Sequence, residues 1–299
     1  MDRRQRTRPG ETAAAVAAVV GLGMGCVAGC SYSGAAAEDA RGWSDPVGTL
    51  RRAADLLRAT GSSKAGTSME MATGGTRVTI RGEGVYDYRR QLGRLTVRLP
   101  QDPAGAAEHR PITELLAPGA LYMKNRGAGV PADKWVRVET ATLADGNLVT
   151  GGATDPYAAA ELLRGTRTAD FVGRAEVGGT AVRHFRGVAD LAAAARFASA
   201  GNREALAAAA KGFATARVPF DAYLDDQGRV RKLQQHFSFV NGERKATVAV
   251  ASTTLLYGFG TPVDVRLPHE KDIYAGRIAE NQPDQPDRSE KPPGNRLEN

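Results

Sequence analysis

The stretch from Val218 to Tyr257 constrains the fold most. Val218, Phe220, Ala222 and Leu224 recur at every second position and share one strand face. Asp226-Gln227-Gly228 then turns the chain. Leu233, Gln235, Phe237 and Phe239 share the face of the next strand. Asn241-Gly242, two residues that tolerate positive φ, predicts a tight hairpin, and Ala246 to Tyr257 returns as a third strand. Three successive strands joined by tight turns form an antiparallel meander whose apolar face needs a cover.

The same alternation recurs upstream. Val78 and Ile80 alternate with Arg77, Thr79 and Arg81, and Leu95, Val97 and Leu99 alternate with Arg94, Thr96 and Arg98. Leu121 to Lys124 and Trp135 to Val138 read as two strands around a turn with Gly127 and Gly129. Phe171 to Glu176 and Val182 to Val188 pair around Gly178-Gly179. Ser62 and Ser63 read as part of a Gly/Ser/Lys turn. Helices are few. Asp45-Pro46 and Asp155-Pro156 each place an N-capping carboxylate before a proline whose missing N–H costs nothing in a first turn. Gly61 and Gly165 end those two helices. Leu191 to Lys211 is helical and nearly all alanine, with Gly201-Asn202 as the expected break. One sheet with a few helices must bury their apolar faces on one side of it. The fold class is therefore α+β, with a large curved antiparallel sheet.

The N-terminal segment is built differently. Arg3, Arg4, Arg6 and Arg8 precede an apolar stretch from Ala13 to Gly25, and Val27-Ala28-Gly29-Cys30 closes it. That order resembles the signal peptide and lipobox of bacterial lipoproteins, which implies cleavage after Gly29 and diacylglyceryl attachment to Cys30. Cys26 is the weaker candidate because Gly23 stands where a lipobox has Leu, Val or Ile. Arg3-Arg4 lacks the large apolar residue that a twin-arginine signal has where Arg6 stands. Cys26 and Cys30 are the only cysteines, so the exported body has neither a disulfide nor a cysteine nucleophile. Residues 1–29 read as the signal peptide, 30–45 as a tether, 46–268 as one domain and 269–299 as a polar, disordered tail with too little apolar surface to order itself.

The formal net charge is +7, but the arginines are scattered singly, a solvated-face pattern rather than a nucleic-acid footprint. His109, His184, His236 and His269 never stand at i, i+3 or i+4, and there is no H-E-x-x-H arrangement. Asp225-Asp226 falls at a hairpin tip, where aspartate serves turn geometry. There is no G-x-S-x-G elbow. The expectation is a non-enzyme without metal, cofactor or nucleic-acid partner.

Several stretches in order carry a resemblance. They are Leu121-Tyr122-Met123-Lys124 with Lys134-Trp135-Val136-Arg137-Val138, Asp155-Pro156 with Leu162-Leu163, and Phe220 to Asp225 with Gly228 to Lys232. Tyr257 to Val265 with Pro268 completes the series. Together they resemble actinobacterial lipoproteins of the LppX/LprG kind, which share a fold with the LolA and LolB lipoprotein carriers. The resemblance covers most of residues 46–268. It implies a half-barrel whose concave face is covered by helices around an apolar cavity for acyl chains. Phe220, Ala222, Leu224, Leu233, Phe237 and Phe239 would line that cavity. The implied protein is an envelope lipoprotein on the outer face of the cell membrane, held by a palmitate-type acyl anchor on Cys30, that binds and carries a lipid or other hydrophobic ligand. The alternative is an envelope sensor or interaction domain with a closed core and no ligand.

Overall fold

The computed structural model describes residues 45–73, 76–100, 110–127, 129–241 and 246–275. The stretches read from the sequence as signal peptide, as lipobox (Val27, Ala28, Gly29 and Cys30), as tether up to residue 44 and as tail from residue 276 lie outside the described residues.

Among the described residues eleven strands form one open, wholly antiparallel sheet. In chain order they are β1 (Ser62–Thr73), β2 (Thr76–Asp87), β3 (Leu92–Arg98), β4 (Ile112–Ala117), β5 (Ala120–Lys124) and β6 (Trp135–Glu139), then β7 (Thr166–Val177), β8 (Thr180–Asp190), β9 (Arg217–Leu224), β10 (Val230–Asn241) and β11 (Ala246–Tyr257). The spatial order is β6-β5-β4-β3-β2-β1-β11-β10-β9-β8-β7. The first and last strands therefore meet in the middle, with Lys64 opposite Tyr257 and Ala72 opposite Ala249. The consecutive strands β6 and β7 are the two edges. The chain between them, residues 140–165, has to pass over the concave face and carries a helix with it.

The helices lie on that face: α1 (Pro46–Arg51), α2 (Ala53–Thr60), α3 (Pro156–Leu162), α4 (Leu191–Phe197) and α5 (Ala200–Gly212). Both Asp-Pro starts are as expected. Asp45 accepts from the Gly48 N–H at 2.7 Å, and Asp155 accepts from Tyr157 and Ala158 at 2.7 and 3.1 Å. The first helix is split at Arg52 and stops at Gly61, whose φ of 99° is open to glycine.

Strand alternation divides the sheet into two apolar layers. Ile112, Leu116, Leu121, Met123 and Val136 join the large core under the helices. Their neighbours Leu115, Ala120 and Tyr122 form a small second core on the opposite, convex face with Val265. That second core is covered by the chain after β11. It leaves β11 through Gly258 and Gly260, donates from the Gly260 N–H to the Ser62 carbonyl, and runs out to edge strand β6. There Ile273 bridges in parallel to Trp135, and the Tyr274 N–H donates to the Trp135 carbonyl at 2.8 Å.

Four expectations are revised. Ser62 and Ser63 are not in a turn but open β1, a central strand. The inward residues of its first half, Ser63, Ala65 and Thr67, are small, so bulky alternation begins only at Met69 and Met71. The alanine helix breaks at Ala198-Ser199, three residues before Gly201, because Ser199 is held from elsewhere in the fold (below). The β10–β11 ladder ends at Asn241 opposite Ala246, so the hairpin loop is longer than a two-residue turn. Residues 269–275, read as the start of the polar tail, form a 3-10 turn and the bridge to β6.

Candidate functional site

The concave face centres on α3. Every residue from Pro156 to Leu162 is buried. Below it Tyr86, Tyr88 and Tyr157 form a ring cluster with centroids 5.2 to 6.3 Å apart. Their hydroxyls are handled separately: Tyr86 donates to Asp155 at 3.3 Å, and Tyr88 shares a 2.6 Å hydrogen bond with Ser63. Burial pushes the Asp155 carboxyl up to about 6, against the opposing pull of the Ala158 and Tyr157 N–H groups and the Tyr86 hydroxyl. Gln235 ties α3 to the sheet by donating to the Ala159 carbonyl at 3.0 Å.

Glu161, on α3, has no exposed surface. Its carboxylate accepts from the Ser199 N–H at 2.9 Å, the Ser199 hydroxyl at 2.8 Å and the Asn202 amide at 2.8 Å. Arg164 approaches from the other side at 3.3 Å and forks onto Asp55 at 2.7 and 3.0 Å. A buried carboxylate is tolerated only when its lone pairs are satisfied. Here the satisfying groups come from the first residues of α5, so Glu161 pins that end of the helix. The other end is pinned by Phe213, whose ring stacks on Phe237 of β10 at 5.0 Å. Between the pins α5 offers Leu206 and a run of alanines to the layer beneath. Beside it lies a groove of about 520 Å³ whose walls include Ala141, Leu143 and Ala144 on one side and Ala207, Ala208 and Gly212 on the other.

The six residues expected to line a cavity lie together on this face. Phe220, Ala222, Leu224, Leu233 and Phe237 are buried in the large core, and Phe239 is partly buried against it. Ala222 stands opposite Leu233 on one side and Phe185 on the other. The α5 groove itself has other walls.

Three further features were not singled out in the sequence. The tyrosine cluster and the Glu161 contacts join residues far apart in the chain. Glu114, by contrast, left a signal. It is a carboxylate between Ile112 and Leu116 at an inward position of β4, fully buried, with neither oxygen hydrogen-bonded among the described residues. Burial raises its carboxyl to about 8, with Arg126 pulling weakly the other way.

The remaining polar candidates serve structure. Asp225 accepts from the Gln227 and Arg229 N–H groups at 3.1 and 2.9 Å and organises its hairpin, where Gly228 takes φ 75°. His184 is 2.6 Å from Asp221 and stacks on Tyr223.

No family model matches the chain, and no curated protein does. Solved structures do. The chain is similar to the lipoprotein LppX of Mycobacterium tuberculosis at 9% identity and a TM-score of 0.42, over 74% of this chain and 97% of that one. It is similar to LprF of Mycobacterium bovis at 13% identity and a TM-score of 0.40, over 74% and 96%. A putative outer membrane lipoprotein-sorting protein domain from Vibrio parahaemolyticus is similar at 8% identity and a TM-score of 0.30, over 73% and 93%.

Proposed function

We propose that this protein is an exported lipoprotein, anchored through Cys30 to the outer face of the cell membrane, whose half-barrel binds and carries a lipid or other hydrophobic ligand under its helical cover. The observation that carries this reading is α5. It closes the concave face while held firmly at its two ends and packed mainly through alanine between them. Alanine side chains bury little area, so lifting the middle of α5 costs far less than lifting a leucine-faced helix of equal length. The groove beside it would be the entry. Beneath lie the aromatic and aliphatic residues of β9 and β10, Phe220, Ala222, Leu224, Leu233, Phe237 and Phe239, which an acyl chain would meet. Each methylene that enters gains ~0.8 kcal/mol, so a long chain needs no specific polar contact. The lipobox and the ordered motifs from Leu121 to Pro268 support the same reading.

Mass spectrometry of the protein recovered from its own membrane tests it. The expected spectrum shows a covalent diacylglyceryl adduct on Cys30 and a second, non-covalent hydrophobic mass that survives gentle ionisation. Ala222→Trp should stay folded and lose the non-covalent mass. A parent protein that never carries such a mass, with Ala222→Trp severely destabilised, would establish the closed-core alternative.

A further inference from the structure

The convex face carries a second concavity, of about 620 Å³, between the outer side of β3–β6 and the chain that follows β11. Its floor is apolar and fixed: Leu115 and Val265 are 4% and 2% exposed. Its walls are cationic. Arg94 stands opposite Leu115 on the neighbouring strand. Thr113 stands opposite Lys124, and Lys124 opposite Trp135, so hydroxyl, ammonium and indole form one row across three strands. The Lys124 Nζ lies over the Trp135 ring, 5.5 Å from its centroid, so the ammonium and the indole face each other at the pocket wall. Across the opening Arg266 is paired with Asp264 at 3.5 Å. Arg94 and Lys124 have no carboxylate partner among the described residues. The pocket therefore holds three cations against one carboxylate, with Arg94 exposed and Lys124 resting on the Trp135 ring.

Two cations without a carboxylate partner among the described residues, beside a hydroxyl and over an apolar floor, present their donors to one space. A guanidinium fork and an ammonium together suit a multiply charged oxyanion better than a single carboxylate. The volume falls in the range of sites for small organic molecules, of about 300–1,000 Å³. We propose that this pocket binds a phosphate group carried on a compact organic moiety. Arg94, Lys124 and Thr113 would contact the phosphate, while Trp135, Leu115 and Val265 would contact the remainder. The site lies on the face opposite the helical cover and does not depend on the lipid-carrier reading.

The test uses the full-length protein in neutral detergent micelles, followed by isothermal titration and tryptophan emission. Inorganic phosphate and glycerol 1-phosphate are titrated from the aqueous phase, and lysophosphatidylglycerol is presented in the same micelles. A saturable response is expected, weakened at least tenfold in the R94Q/K124Q double variant and unchanged in Arg98→Gln, which alters an outward arginine of β3 outside the pocket. A response to the water-soluble phosphates identifies a soluble ligand, and a response to the lysolipid alone identifies a headgroup; either supports the site. No saturable response to any of the three would overturn it. So would equal binding by the double variant, or equal loss in Arg98→Gln. Thermal unfolding of each variant separates lost binding from lost fold.

Discussion

The two faces of this sheet are covered by unlike means. On the concave face, helices bring a continuous apolar layer and bury carboxyl groups with it: Glu161 fully satisfied, Asp155 partly, Glu114 without a hydrogen-bond partner among the described residues. On the convex face one extended segment lies over a small cluster, with Val265 as its buried anchor and backbone hydrogen bonds to β6 at its end. The first cover is cooperative, because the helices share one core. The second is a local strap that packs on the small cluster alone. Burial of charge accompanies the cooperative cover, since only there does packing hold donors in place.

That contrast can be broken most directly at Glu161. Glu161→Ala strands the Ser199 N–H, the Asn202 amide and one side of Arg164, and should lower unfolding stability by about 3–5 kcal/mol in urea titration. A loss under ~1 kcal/mol would mean that α5 is held by its apolar contacts alone.

Glu114 comes next, with a sign fixed by its raised carboxyl. Below a pH of about 4.5 folded and unfolded chains both keep the proton, so nothing is lost. As pH rises towards about 8 the unfolded chain ionises while the buried group resists, and stability falls until the folded protein ionises too. Glu114→Gln removes this slope. The variant should match the parent near pH 4 and exceed it by a few kcal/mol near pH 9, roughly as such a shift converts. A gap independent of pH would show that Glu114 has a partner in solution.

The smallest effect belongs to the strap. Val265→Ala should cost only about 1–2 kcal/mol, the transfer of two methylenes, and should alter the near-ultraviolet signal of Trp135 more than the global unfolding midpoint. A loss as large as that at Glu161 would make the two faces one cooperative unit.

Much of the sheet was legible because its rules are local. Asp45-Pro46 and Asp155-Pro156 announce helices within two residues, and the bulky alternation around Phe220 and Phe237 gives strand and face together. The start of β1 escaped because Ser63, Ala65 and Thr67 face inward without bulk, and the bulky alternation begins only at Met69 and Met71. The break before α5 escaped for a related reason. Ser199 is held by Glu161, 38 residues away in sequence, and no short-range pattern encodes that. The strap was half legible: Val263 and Val265 belong to the motif that closes the domain, but Ile273 follows a polar run from His269 to Asp272, and its partner Trp135 stands far away in sequence.

The central seam between β1 and β11 has a kinetic meaning. Residues that pair there, from Lys64 with Tyr257 to Ala72 with Ala249, stand 177 to 193 positions apart in sequence, and pairings so distant are slow because loop closure precedes any gain. Each flanking meander can zip up early by itself, but neither can bury its inner edge until the last strand has been delivered. Under the export reading this timing is useful. A chain that cannot complete its sheet until its last strand is made would stay threadable, and the domain would lock only after the whole of it had crossed.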